Sequence, residues 1–271
     1  MSVKPAVQAG ADEVRVLARG LAILKAFAPR NEWLSNQELA EAVALPRPTI
    51  SRLTSNLLKM GYLEYSAERG LYRLGAAVLT LGFAARSAMG IHVLARPLLQ
   101  DFADREDTTA VLATREGAAM FCHEVCHGHH MVALRVGPGS RLVLPYSAMG
   151  RALIGVLPPA GRDELLEQIK HQFPKNWPQL KADLADAVVQ MRAKSFCTTI
   201  GTLESGVNGA AAVIDWPGAP HIYVIGCAGP AARHPRERIE RDLGPRLLAI
   251  KAALEDRLVR NAPEPADEIL A

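Results

Sequence analysis

"LSNQELAEAVALPRPTISRLTSNLLKMGYLEYSAERGLYRLG", residues 34–75, decides how the N-terminal part of the chain folds. Ser35 is followed three residues later by Glu38, the spacing of a capping box, so a helix is expected to start there and run to about Val43. "ALPRP" (44–48) is a turn, and Pro48 is tolerated in the first turn of the next helix. That helix is "TISRLTSNLLKM" (49–60), stopped by Gly61. "YLEYSAERGLYRLG" (62–75) reads as two short strands around Glu68-Arg69-Gly70. On a helical wheel Ile50, Leu53, Leu57 and Met60 share one arc and are expected to face the core. Thr49, Arg52, Ser55, Asn56 and Lys59 occupy the other side, joined by Arg47 from the turn.

Between Val43 and Leu63 there are three basic residues and no acidic one. A helix that enters the major groove needs this division: an apolar stripe for anchoring, and an outer face of short donors and Arg without carboxylates to repel phosphate. The segment is therefore expected to be a winged helix-turn-helix that binds double-stranded DNA. Arg52 and Thr49 are expected near bases or adjacent phosphates. Arg47, Ser51, Ser55, Lys59 and Arg69, the last at the tip of the hairpin, are expected mainly on the backbone.

Upstream, "DEVRVLARGLAILKAFA" (12–28) places Val16, Leu17, Leu21, Leu24 and Phe27 at amphipathic-helix spacing. Residues 1–11 are small and polar and are expected to be a disordered tail. Downstream, a helical connector is expected over roughly 76–103, with Gly82, Gly90 and Pro97 as possible kinks. The expected organisation is a DNA-binding domain over 12–75, a linker helix over 76–92, a second domain over 93–260 and a disordered tail over 261–271.

From residue 108 the texture changes. "TTAVLATRE", "AAMFCHEV", "HHMVALRVG", "SFCTTI", "GVNGAAAVID" and "HIYVIGCAG" are strand-like, while "SAMGRALIGVL", "GRDELLEQIKHQF", "QLKADLADAVVQMRAK" and "RERIERDLGPRLLAIKAALEDRLVR" are helical. Strand runs separated by a helical block predict an α+β domain with a largely antiparallel sheet. The whole chain has 271 residues, 49% of them hydrophobic, with net charge +3, which is ordinary for a globular protein and too weakly basic to argue for DNA by itself. Four cysteines in this length make no disulfide framework. The N-terminus lacks a signal-type apolar core and no run is long enough to span a bilayer, so a cytoplasmic protein without a membrane partner is expected.

"FCHEVCHGHHM" (121–131) concentrates Cys122, Cys126, His123, His127, His129 and His130. Haem attachment needs Cys-x-x-Cys-His, and this spacing is one residue too long. A structural zinc site needs four converging ligands. Strand alternation lets Cys122 and Cys126 share one face while His123 takes the other, and a hairpin brings Cys126 near His129 or His130. The expectation is strand and turn residues, with no metal and no cofactor. A metal- or redox-responsive role for 122–130 and a ligand-pocket role for His123 are the alternatives. An enzyme is the remaining rival, but no Gly-x-Ser-x-Gly elbow, phosphate loop or His-Glu-x-x-His motif is present and no catalytic residue is expected.

"RGLAILKAF" together with residues 34–75 resembles the winged helix-turn-helix of the IclR (isocitrate lyase regulator) family of bacterial transcription factors. "RLVLPYSAMGRALIG" (141–155) and "LESGVNGAAAVIDWPGAPHIYVIGCAGP" (203–230) resemble two segments of the family's effector domain, so the resemblance covers about residues 14–258. It implies a GAF/PAS-like effector-binding domain, a homodimer or homotetramer with the linker helix in the contact, and a small-molecule effector that modulates operator binding. Carried residue by residue, it points to Ala148, Met149, Thr199, Val207, Gly209, Gly226 and Ala228 as effector contacts. Tyr146, in the loop before the helix at 148, and His123 complete the expected set. The free N–H groups at the start of that helix favour a carboxylate. Some family members that bind very small keto acids place Asp where Thr199 stands and Ser where Gly226 and Ala228 stand. The replacements here are smaller and less polar, so a bulkier organic acid, aromatic in the favoured case, is expected. Glu204, beside Gly206, reads as a turn residue.

Overall fold

The computed structural model describes residues 7–28, 33–88, 90–129 and 135–261. The chain divides into two units, Met1–Met89 and Gly90–Ala271. Within the first, α1 (Val7–Ala26), α2 (Asn36–Val43) and α3 (Arg47–Lys59) precede a hairpin of β1 (Leu63–Ser66) and β2 (Leu71–Leu74), and α4 (Ala76–Ala88) follows. The expected tail 1–11 is helical from Val7 onward, and residues 1–6 lie outside the described residues.

The capping box of α2 is formed as its residues dictate: Ser35 Oγ accepts from the Glu38 N–H at 3.2 Å, and the Glu38 carboxylate accepts from the Ser35 N–H at 2.7 Å. Ala44, at φ 53°, turns the chain in the left-handed region so that Leu45 and Pro46 lead directly into α3. Leu39, Ile50, Leu53 and Leu63 close a small core against Ile23 and Phe27 of the first helical segment. That packing corrects two expectations. Val16, Leu17 and Leu21 are exposed, because α1 buries the face that carries Ile23 and Phe27. Met60 is 63% exposed rather than in the core, because it caps α3 after the last full turn. Gly75 is required where the hairpin returns: a Cβ there would sit 2.3 Å from the Gly61 carbonyl oxygen.

The second unit begins with α5 (Ile91–Glu106), so the helical connector expected over roughly 76–103 is two helices, the second starting after Gly90, one of the expected kink positions. Six strands follow, interleaved with helices: β3 (Thr109–Glu116), β4 (Ala119–His127), β5 (Arg141–Val143), α6 (Ala148–Val156), α7 (Pro159–Gln172), α8 (Trp177–Lys194), β6 (Cys197–Ile200), β7 (Val207–Val213) and β8 (Tyr223–Pro230). The chain ends in α9 (Arg236–Arg238), a π turn over Ile239–Leu243 and α10 (Gly244–Arg260). The sheet order is β5-β4-β3-β8-β7-β6, antiparallel throughout, which is the expected α+β architecture. The expected strand at 129–137 falls mainly on residues 130–134, which lie outside the described residues; among the described strands, β5 is the outer partner of β4.

Each face of the sheet has its own core. Leu112, Cys126, Tyr223 and Ile225 pack against Leu99 and Phe102 of α5 and Leu247 and Leu254 of α10. Val111, Cys122, Val125 and Val224 pack against Met149, Leu153 and Ile154 of α6 and Leu184 of α8. Burying each such aliphatic side chain contributes about 1.5–3 kcal/mol before the entropy of ordering is set against it. The two faces are sorted by a bulge in β4. Leu112 pairs with Glu124 but Ala113 pairs with Cys122, leaving His123 as the extra residue. Cys122 and Cys126 consequently lie on opposite faces, not on the shared face that simple alternation predicts. No helix among the described residues is long and apolar enough to cross a membrane.

Candidate functional site

The first unit presents on α3 the exposed polar and basic face that is expected to read DNA. Arg47, Ser51, Arg52, Ser55 and Lys59 are exposed, and Thr49 is half-buried. Thr49, Arg52 and Asn56 line a groove of about 370 Å³ beside α1, to which Val16 and Arg19 contribute. Arg19 is a basic residue that reading α3 alone missed; the signal was its position one helix away. Among the described residues, no acidic one lines this groove. Ser51 is held by Asn36, whose Nδ2 donates to Ser51 Oγ at 2.9 Å. At the hairpin tip, the Arg69 guanidinium lies over the Trp33 ring, 5.4 Å from its centroid, and Arg73 lies 5.0 Å from the same ring. Arg73 is also paired with Glu64 across the hairpin through its Nε at 2.7 Å. Arg69 is thus offered on a scaffold with few free torsions.

The second unit holds a cavity of about 50 Å³ between the sheet and the start of α6. Seven of the nine expected effector contacts line it: Ala148, Met149, Thr199, Val207, Gly209, Gly226 and Ala228. Sequence reasoning missed Thr109, Val111, Val136, Leu142, Ser147 and Leu203, which also line it. Thr109 and Val111 alternate along one strand, so their shared face was legible, but not which face it was. Ser147 caps α6, its Oγ accepting from the Gly150 N–H at 3.1 Å, which leaves the amides of Ala148 and Met149 at the helix start without intrahelical partners. Among the described residues the Thr199 hydroxyl has no hydrogen-bond partner. Met149 folds over Gly226: a Cβ on that glycine would lie 2.9 Å from Met149 Cγ and 3.3 Å from its Sδ. The space conceded by glycine is therefore filled by a flexible thioether.

His123 and Tyr146 do not line the cavity. His123 lies on the α5 side, opposite Cys122, where its Nε2 lies 2.7 Å from Thr114 Oγ1 and its ring 5.2 Å from that of His92. Burial, then the neighbouring His92 and His221, lower its pKa to about 4 against the pull of Glu124. Glu124 itself is 2% exposed, 3.3 Å from His92 Nδ1, and accepts from Arg96 at 2.9 Å. Tyr146 packs edge-on against Phe173 and offers its carbonyl oxygen to the Thr202 hydroxyl at 2.7 Å. Glu204 is exposed and its carbonyl closes a turn on the Val207 N–H. A larger cleft of about 550 Å³ near Trp216 and Lys251 contains none of the expected contacts.

The Cys/His stretch is dispersed rather than convergent. Cys122 and Cys126 are separated by the sheet, and burial raises both thiols, Cys122 to about 12. His129 is exposed and 3.7 Å from Asp104, and His130 lies outside the described residues. Among the described residues there is no group of three or more His, Cys, Asp or Glu side chains arranged to hold a metal ion.

Comparison with known proteins accounts for both units. Residues 16–67 match the IclR helix-turn-helix domain, and residues 83–254 match the bacterial transcriptional regulator IclR C-terminal domain. The HTH-type transcriptional regulator TsaQ1/TsaQ2 of Comamonas testosteroni is 30% identical over 92% of this chain and 89% of its own. An IclR family transcriptional regulator from Brucella abortus, known as a crystal structure, has 36% identity and a TM-score of 0.74 over 89% of this chain and 91% of its own. An IclR homologue from Microbacterium hydrocarbonoxydans, crystallised with 4-hydroxybenzoate, shares the fold at 20% identity, with a TM-score of 0.74 over 90% of this chain and 99% of its own. With both of its domains matched in order and its relatives regulators rather than enzymes, the chain belongs to the IclR family of DNA-binding bacterial transcriptional regulators.

Proposed function

We propose that operator binding by this regulator is modulated by an organic acid of aromatic type, held in the cavity between α6 and the sheet. The observation that carries the reading is the cavity's make-up. Its walls are apolar through Val111, Leu142, Leu203 and Val207, and its polar groups converge from Thr109, Thr199 and the start of α6. A carboxylate suits the amides at the helix start, and an apolar ring suits the rest. At about 50 Å³ the cavity holds no more than about two waters, so a ring enters only when Met149 leaves Gly226. The ligand-bound conformation therefore differs from this one, and a ligand that prefers one conformation shifts the equilibrium between them. Linkage then requires that operator affinity shift by the same factor as effector affinity. The Microbacterium protein holds an acid of this class in the same fold.

On the DNA side, Arg52 and Thr49 contact bases or adjacent phosphates, while Arg47, Ser51, Ser55, Lys59 and Arg69 hold the backbone. One recognition helix buries too little surface for useful affinity, so the working species is a homodimer or tetramer reading paired half-sites. The exposed Leu79, Leu81 and Phe83 of α4 supply apolar surface for such an assembly. The reading places the protein in the cytoplasm, with its operator DNA. Fluorescence anisotropy on a duplex from upstream of its own gene, against a scrambled duplex and with an added panel of aromatic and short aliphatic acids, tests it. Selective binding that shifts with an aromatic acid is expected. Selective binding shifted only by small polar acids would overturn the effector class.

A further inference from the structure

The Thr109 wall of the cavity is backed by a group that the family resemblance does not assign. Thr109 opens β3 and pairs with His127 at the end of β4. His127 Nδ1 lies 3.1 Å from Thr109 Oγ1, and His127 Nε2 lies 3.0 Å from the carbonyl oxygen of Val136. Thr109 and Val136 both line the cavity, so one imidazole ties two of its walls together. The backbone behind the ring is fixed as well: Gln100 Nε2 donates to the His127 carbonyl at 3.0 Å.

For a neutral imidazole these contacts determine where the hydrogens are. A carbonyl oxygen only accepts, so Nε2 carries the proton. In the neutral ring Nδ1 is then a lone pair, and the Thr109 hydroxyl must donate to it. Thr109 is left with oxygen lone pairs and no hydrogen to offer a ligand. A threonine without this partner would rotate to donate or accept as required.

We propose that His127 makes Thr109 a dedicated hydrogen-bond acceptor in the cavity, and that the effector is an acid carrying a hydroxyl group that donates to it. The inference rests on the reading of the cavity as the effector site. It names the chemistry at the Thr109 wall: a hydroxyl is favoured, a methyl group leaves Thr109 unsatisfied, and a second carboxylate meets lone pairs with lone pairs.

The test is calorimetry on the full-length protein with benzoate, the three monohydroxybenzoates, the three methylbenzoates and the three benzenedicarboxylates. One hydroxy acid is expected to bind about tenfold more tightly than its methyl counterpart. In Thr109→Val that ratio falls to about one, while the methyl acid is still bound. In His127→Phe the Thr109 hydrogen is released, and the dicarboxylate of the same substitution pattern gains on the hydroxy acid. Equal binding of hydroxy and methyl acids by the unaltered protein, or a preference that survives Thr109→Val, would overturn the inference and leave the cavity as the effector site. No binding of any acid would remove the cavity reading, and this inference with it. If His127→Phe does not fold, the Thr109→Val ratio decides alone.

Discussion

In the first unit most of the side chains expected to touch DNA stand in solvent, Arg52 and Lys59 among them, and all but Arg69 sit on one short helix. In the second unit the side chains expected to touch a ligand are mostly buried, and their positions depend on strands from distant parts of the sequence meeting in register. The difference teaches where each kind of change must be felt. An outward surface can lose a contact and keep its fold. An inward one shares its residues with the packing that makes it, so only changes that keep the shape spare the fold.

The sharpest contrast lies at the bulge. Glu124→Ala leaves His92 and Arg96 without their buried acceptor and is expected to cost about 2–3 kcal/mol of stability in urea unfolding. An unchanged midpoint would break the comparison at its interior end. Acid probes the same cluster. The folded pKa of His123 is lowered from 6.5 to about 4, so the unfolded chain takes up the proton first. The stability of this unit is therefore full above about pH 6.5 and declines as pH falls toward 4. A pH series of melts should show that decline, and His123→Gln should flatten it.

Arg52→Ala should cost about 2 kcal/mol in operator affinity if its contact is a bidentate base pairing, with the melting temperature unmoved. A loss of stability of similar size would show that the outward surface is structural. Ser35→Ala crosses the divide, since an exposed cap still satisfies the first turn of α2. It should cost about 1 kcal/mol of stability, read by denaturation, and weaken DNA binding only through that loss. Trp33→Ala, which removes the ring under Arg69 and Arg73, should cost only about 0.5–1 kcal/mol, seen in operator affinity at low salt.

The same division governs what the sequence revealed. The capped α2, the recognition helix and the hairpin were legible because Ser35, Glu38, Pro48 and Gly61 act locally. Met60 was misplaced because a wheel extends past the last helical turn and does not show where the helix ends. Seven cavity residues were reached through the resemblance, since no local rule brings Ala148, Thr199 and Gly226 together. Cys126 was misplaced by the bulge: one inserted residue reverses the alternation that put it on the face of Cys122, while His123 does lie opposite Cys122. Thr109 was passed over because its significance comes from His127 beside it in the sheet, eighteen residues away in the chain.

The bulge also gives experimenters a labelling background. By setting Cys122 and Cys126 on opposite faces it keeps each thiol inside a core, and Cys197 and Cys227 are likewise buried. Burial raises all four thiols, three of them to about 12, so little reactive thiolate forms near neutrality. A single cysteine introduced on an exposed site, such as Glu68 in the wing or Gln168 on α7, should therefore take a maleimide dye selectively with every native cysteine left in place. Labelled that way, each domain can report by fluorescence on the binding event in the other, in an otherwise unaltered regulator.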